Sequence, residues 1–226
     1  MIFTRKFLIQ ALLEGIVPRT CINCASPISY GAHVAGACSF CVMHWGVFEP
    51  DISGTTLFRE RYYSSWCAVG FRLRDKGTRA IVHRCKYGGE PRLVKTLGRW
   101  LARRWPPPPN GSVLIPIPIH WKRRLQRGYN QAERLADGMA EGWGVQVDGR
   151  GLVRLKHGKS LTGSGRKDRG EALRHAYGVN KKEKSDLRLV VLVDDVLTTG
   201  ATLRACRDVL EKQGRKVVGA VVLAMA

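Results

Sequence analysis

Three stretches of the chain are almost continuously apolar. Residues 189–193 (Leu-Val-Val-Leu-Val), 113–118 (Val-Leu-Ile-Pro-Ile-Pro) and 216–223 are short and mostly rich in β-branched side chains. They lack the alternation of a half-exposed strand and read as strands buried on both faces. Residues 66–73 suit a further strand. Between the strands the apolar spacing turns helical. A helix capped by Asp75 or Thr78 runs to about Lys86, where Gly88 and Gly89 stop it. A second spans about 91–103, a third about 130–139, and a fourth runs over 203–213 to Gly214. Strands alternating with helices predict an α/β fold, a parallel sheet with helices on both faces, from residue 66 to the end. Near the start, Ile2, Phe7, Leu8, Leu12, Leu13 and Ile16 fall on one face of an amphipathic helix over residues 1–17. Such a helix packs on its own protein or lies on a membrane surface. Residues 48–56, with Pro50 and Gly54, read as a linker, and Trp105 to Gly111, with its four prolines, as a rigid surface connector.

Charge changes this picture. The 226 residues carry 38 Lys+Arg against 18 Asp+Glu, a formal net charge of +20. That excess points to a polyanionic partner, nucleic acid or an anionic membrane, beyond any single phosphorylated metabolite. No apolar run is long enough to span a bilayer, and Gln10 and Glu14 interrupt the N-terminal apolar run that a signal peptide would need.

The cysteines add a separate module. Cys21-x-x-Cys24 and Cys38-x-x-Cys41 are two tight turns, each aiming two sulfurs at one point. Together they predict a four-thiolate structural zinc site in a small ribbon over residues 18–48. Disulfides suit secreted proteins, and a redox pair comes singly in a different context. His33 and His44 are surplus to the site. Cys67, Cys85 and Cys206 sit among apolar residues and read as core thiols.

The densest chemistry lies at residues 189–202. The apolar strand is followed by Asp194 and Asp195, then by Leu197, Thr198, Thr199, Gly200, Ala201 and Thr202 before a helix. Unpaired N–H groups and the dipole at a helix start favour an anion, Gly200 permits close approach, and the hydroxyls add donors. The paired carboxylates can accept from sugar hydroxyls or hold Mg²⁺. A sugar phosphate satisfies both halves. After the strand at 113–118, Arg123, Arg124 and Arg127 stand where open α/β sheets bind ligands, as contacts for diphosphate or for a nucleic-acid backbone. Trp121 and Tyr129 lie among them and could stack on bases. Residues 152–177 form a basic, glycine-rich segment, a lid over diphosphate or a track for a DNA strand.

Residues 189–202 closely resemble the phosphoribosyl diphosphate motif of type I phosphoribosyltransferases, in which the acids sit by the ribose hydroxyls and the loop wraps the 5′-phosphate. The cysteine pairs, Lys86-Tyr-Gly-Gly89, residues 116–131 and residues 191–202, in that order, resemble the ComF family. The resemblance implies a zinc ribbon joined to a phosphoribosyltransferase-like domain over residues 66–226. It adds Lys86 to the candidate diphosphate or DNA contacts. It implies phosphoribosyl diphosphate as ligand and a cytoplasmic part in taking up single-stranded DNA during natural transformation. Alternatives are an active phosphoribosyltransferase of nucleotide metabolism, or a non-catalytic protein docking a helicase or membrane partner. Leu161 and Ala172 stand where family members often have glutamine and asparagine.

Overall fold

The structure is a computed structural model of the chain. It describes residues 20–48 apart from 22, 29–32, 35 and 44, then 56, 58 and 62, and residues 65–155, 175–180 and 188–226. The expected N-terminal helix, His44, Leu161, Ala172 and most of the basic segment lie outside the described residues.

In chain order the elements are β1 (His33–Val34), β2 (Ala37–Cys38), α1 (Ser39–Met43), β3 (Trp66–Arg72), α2 (Lys76–Tyr87), α3 (Pro91–Arg104), β4 (Ser112–Pro116), α4 (Trp121–Arg127), α5 (Gln131–Trp143), β5 (Gln146–Val147), β6 (Leu152–Arg154), β7 (Tyr177–Val179), β8 (Leu189–Leu197), α6 (Ala201–Glu211) and β9 (Val217–Met225). The main sheet has five strands in the order β3-β9-β8-β4-β5, every neighbour parallel. Its centre is the apolar runs: Val190, Val191, Leu192 and Val193 of β8 and Ala220, Val221 and Val222 of β9 are fully buried. Strands covered on both faces have no polar side to show, which is why the sequence runs lack alternation.

β8 is longer than its apolar run. It continues through Asp194 and Asp195 to Leu197, because β9 supplies a ladder partner as far as Leu197 opposite Met225. The acids therefore project from ordered strand, not from a loop.

The chain leaves β4 through α4 and α5 to reach β5 at one edge of the sheet. It leaves β8 through α6 to reach β9 on the other side. Right-handed crossovers running in opposite directions place α5 and α6 on opposite faces. A crevice opens between the C-terminal ends of β4 and β8, the switch point where such sheets bind ligands.

α3 and α5 pack so closely that glycine is required at the crossing. A Cβ on Gly138 would run into the Lys95 carbonyl and lie 3.0 Å from the Arg99 nitrogen, and one on Gly98 would lie 3.1 Å from the Gly138 Cα. These obstacles are backbone and cannot rotate away. Gly138→Val is expected to cost about 3 kcal/mol, read as a lowered urea midpoint. A midpoint at the wild-type value would show that the helices separate freely.

The cysteine module joins the sheet at its β3 edge. Val47 bridges Phe71 in antiparallel sense, and the Phe48 N–H donates to the Gly70 carbonyl at 2.9 Å. Trp45 is buried edge-on against Phe71, with ring centroids 5.4 Å apart. The strap covers backbone groups that an open edge would expose.

Three features go beyond the sequence reading. α4 forms a separate short helix. β5 adds two residues at the sheet edge. β6 and β7 pair antiparallel, Leu152 opposite Val179 and Arg154 opposite Tyr177, so the ends of the basic segment form a hairpin. Strands this short show no alternation, and their partners lie far apart in sequence.

Candidate functional site

A cavity of about 260 Å³ fills the crevice. Four cations, Lys86, Arg123, Arg127 and Arg154, line it together with two acids, Asp194 and Asp195.

The acids are held differently. Asp194 Oδ1 accepts the Asp195 N–H at 2.8 Å. Burial, and next the negative charge of Asp195, push the Asp194 carboxyl up to about 8. Asp195 Oδ2 lies 3.2 Å from Lys86 Nζ. Lys86 comes from the last turn of α2, where the helix dipole favours a cation. The Tyr129 hydroxyl donates to the Cys85 carbonyl at 2.6 Å and so anchors that turn. Sequence spacing could not have joined Lys86 to Asp195; the α2 terminus brings it there.

The loop after β8 begins at Leu197, whose side chain is buried and whose carbonyl accepts the Ala226 N–H at 2.9 Å. Gly200 caps α6 with φ +74°, a left-handed conformation that costs glycine least. Thr199 Oγ1 accepts the Ala201 N–H at 3.4 Å, and Arg204 Nη2 donates to the Thr199 carbonyl at 2.6 Å. Thr198 and Thr202 line the cavity, while Thr199, Gly200 and Ala201 form the turn between them. The loop therefore stands at the positive end of an eleven-residue helix. Leu197 serves the core by its side chain.

Of the three arginines on α4, two face the cavity. Arg123 and Arg127 are one turn apart and line it, whereas Arg124 Nη1 turns to Glu133 Oε1 at 2.7 Å. His120 caps the helix by accepting the Lys122 N–H at Nδ1, and Gly128 ends it with φ +77°. Arg127 Nη1 donates to Gln131 Oε1 at 3.0 Å, and its guanidinium lies over the Tyr87 ring. Trp121 is half exposed on α4; Tyr129 is buried as a packing residue.

Several lining residues had no individual role assigned from the sequence. Asn130 caps α5 by accepting the Ala132 N–H at 3.1 Å, and it donates to the Ile117 carbonyl at 3.0 Å, tying the exit of β4 to that helix. Asparagine ahead of a helical run was its available signal. Gln131 is buried, and among the described residues its Nε2 has no partner. Arg154 and Tyr177 meet across β6 and β7, and no local signal announces them.

The four sulfurs of Cys21, Cys24, Cys38 and Cys41 lie within 4.8 Å of one another. Backbone N–H groups of Asn23 and Cys38 each donate to Cys21 Sγ at 3.4 Å, and Asn23 Nδ2 donates to Cys41 Sγ at 3.3 Å. Burial opposes ionisation of Cys21, but the N–H donors from Cys38, Cys24 and Asn23 prevail and bring its thiol down to about 6. Converging sulfurs suit a metal ion, and a closed four-sulfur set suits a structural one. Cys67, Cys85 and Cys206 are buried, as expected. Among the described residues no helix is long and apolar enough to cross a membrane.

Residues 128–226 match the family described as the phosphoribosyl transferase domain. Over 201 residues the chain is 27% identical to Competence protein F of Haemophilus influenzae, covering 86% of this chain and 79% of that protein. It is 34% identical over 106 residues to Competence protein ComFC of Bacillus subtilis, 46% of this chain and 41% of that one. It is 26% identical over 144 residues to DNA utilization protein YhgH of Salmonella typhi, 61% and 63% of the two chains. Among solved structures it is similar to an allosteric regulatory enzyme of purine biosynthesis, with TM-score 0.41 and 18% identity over 63% of this chain and 30% of that one. It is also similar to adenine phosphoribosyltransferase of Leishmania tarentolae, with TM-score 0.34 and 15% identity over 62% and 73%. The similarity to Competence protein F runs over most of this chain, and the match to the phosphoribosyl transferase domain occupies its C-terminal part.

Proposed function

We propose that the chain acts in DNA uptake and utilisation, as the names of its relatives suggest, binding a phosphoribosyl-type sugar phosphate in the cavity and single-stranded DNA on the basic surface beside it. The observation that carries the sugar-phosphate reading is the meeting of Asp194 and Asp195 with the residue 198–202 loop at the β4–β8 switch point. On this reading the acids accept from the pentose hydroxyls, and the loop with the first turn of α6 donates to the 5′-phosphate. Lys86, Arg123 and Arg127 face a diphosphate. Asp194 and Asp195 offer the oxygen donors that suit Mg²⁺, and that ion would offset diphosphate charge when bound. Residues 18–48, holding zinc through the four cysteines, form a structural module beside the domain of residues 66–226.

DNA binding is supported by the +20 net charge and by the outer face of α4, where Trp121, Lys122 and Leu125 are exposed. Aromatic and cationic side chains side by side suit a single strand. Titration with phosphoribosyl diphosphate and with an unstructured oligodeoxynucleotide, separately and together, tests both halves. Replacing Trp121 and Lys122 together by alanine is expected to weaken DNA binding. It should also flatten the dependence of log affinity on log salt by about one unit per lost phosphate contact. Unchanged affinity and slope would remove α4 from the DNA surface.

A further inference from the structure

Arg154 takes no part in the reading above. It ends β6, and its Nη1 donates to the hydroxyl of buried Tyr177 at 2.7 Å, with the guanidinium 5.1 Å from the ring centroid. Among the described residues it has no carboxylate partner. Both residues line the cavity with Thr198 and Thr202. β7 packs against α6. Cys206, one turn beyond Thr202 on that helix, lies within electrostatic reach of both Asp194 and Arg154. The hairpin thus sets a guanidinium beside the head of α6, where the loop offers only neutral donors.

We propose that Arg154 completes the phosphate seat at the head of α6 and makes it selective for phosphomonoesters, so that the seat takes the terminal phosphate of a sugar phosphate and rejects the internal phosphodiester of a DNA strand. The inference rests on the sugar-phosphate reading of the cavity and specifies the charge state of its ligand. A monoester presents three terminal oxygens and close to two negative charges at neutral pH; a diester presents two oxygens and one charge. Amides and hydroxyls accept either one. A partly buried guanidinium with no carboxylate partner among the described residues gains most from the dianion, and its planar fork can contact two of its oxygens. The Tyr177 hydroxyl holds one edge of that fork in place. The cavity, about 260 Å³, is smaller than the roughly 300–1,000 Å³ usual for ligand pockets. It suits one sugar phosphate and not a passing strand, which leaves DNA to run outside along the Trp121 and Leu125 face.

Calorimetric titration of the full chain with ribose 5-phosphate and with its phosphate methyl ester tests this. Wild type is expected to bind the monoester at least about tenfold more tightly than the methyl ester, the order of one charge-assisted pair. R154Q is expected to lose that factor for the monoester while binding the methyl ester as before, so that discrimination disappears. R154K should restore part of it, and Tyr177→Phe, which frees the fork, should fall between. Melting temperatures of the unliganded variants report whether each is folded, and R154K carries the test if R154Q is not. Equal wild-type affinity for the two ligands, or full discrimination in a folded Arg154 variant, overturns the inference and leaves the sugar-phosphate reading standing. If wild type binds neither ligand, both fail.

Discussion

Replacing Cys38 by serine is expected to release the bound metal and unfold the module of residues 20–48 while the five-stranded sheet stays assembled. The module is too small to stand on apolar burial, with two-residue strands and a five-residue helix. On the zinc reading its stability comes largely from the metal, and apparent binding energies for structural zinc are on the order of 10 kcal/mol or more. The sulfurs already lie within 4.8 Å of one another, and backbone N–H groups already point at Cys21 Sγ. Loss of one ligand opens the site and leaves three crowded thiols. Metal analysis should return one zinc per wild-type chain and none for Cys38→Ser. Hydrogen exchange should accelerate through residues 20–48 and stay slow in β8 and β9. The strap at Val47 and Phe48 should loosen with the module, since its hold on β3 is a single bridge and a few hydrogen bonds. A metal-free wild-type chain with well-protected module amides would sink the zinc assignment.

The second large effect is expected at the acids. Asp195→Ala should weaken phosphoribosyl diphosphate binding by on the order of a hundredfold, roughly 3 kcal/mol. The substitution removes an acceptor for pentose hydroxyls and also leaves Lys86 Nζ, now 3.2 Å from the carboxylate, without its counter-charge. Lys86 is free to turn toward solvent, since a quarter of its side chain is exposed, so the cost to folding should be small. Asp195→Asn, which keeps an acceptor oxygen but no charge, should fall between wild type and alanine. Equal affinity in all three proteins would show that the acids do not touch the ligand.

The elements differed in how legible they were. Buried parallel strands announce themselves because both faces need apolar side chains, so the cores of β4, β8 and β9 were readable from residue type alone. The loop at residues 198–202 was readable because its turn demands a left-handed residue and Gly200 supplies it. The reach of β8 past Val193 was not readable, since only pairing with β9 keeps Asp194 and Asp195 extended. The arginines of α4 were visible as a cluster but not as individuals. Arg123 and Arg127 share a helical face toward the cavity, while Arg124 is drawn off by Glu133, which enters from α5. Arg154 and Tyr177 were invisible as a pair, because their meeting depends on two three-residue strands that pair with each other and, through β7, pack against α6.

The chemistry on offer is written in consecutive residues: four sulfurs in two knuckles, an acidic pair after a buried strand, and a donor-rich turn before a helix. Each of these is a local device, complete within a few consecutive residues. Tertiary structure alone decided which distant charges share the cavity: Lys86 from α2, two of the three arginines of α4, and Arg154 from the hairpin. That choice depends on strand order and on packing between elements far apart in the chain, and neighbouring residues carry no record of it.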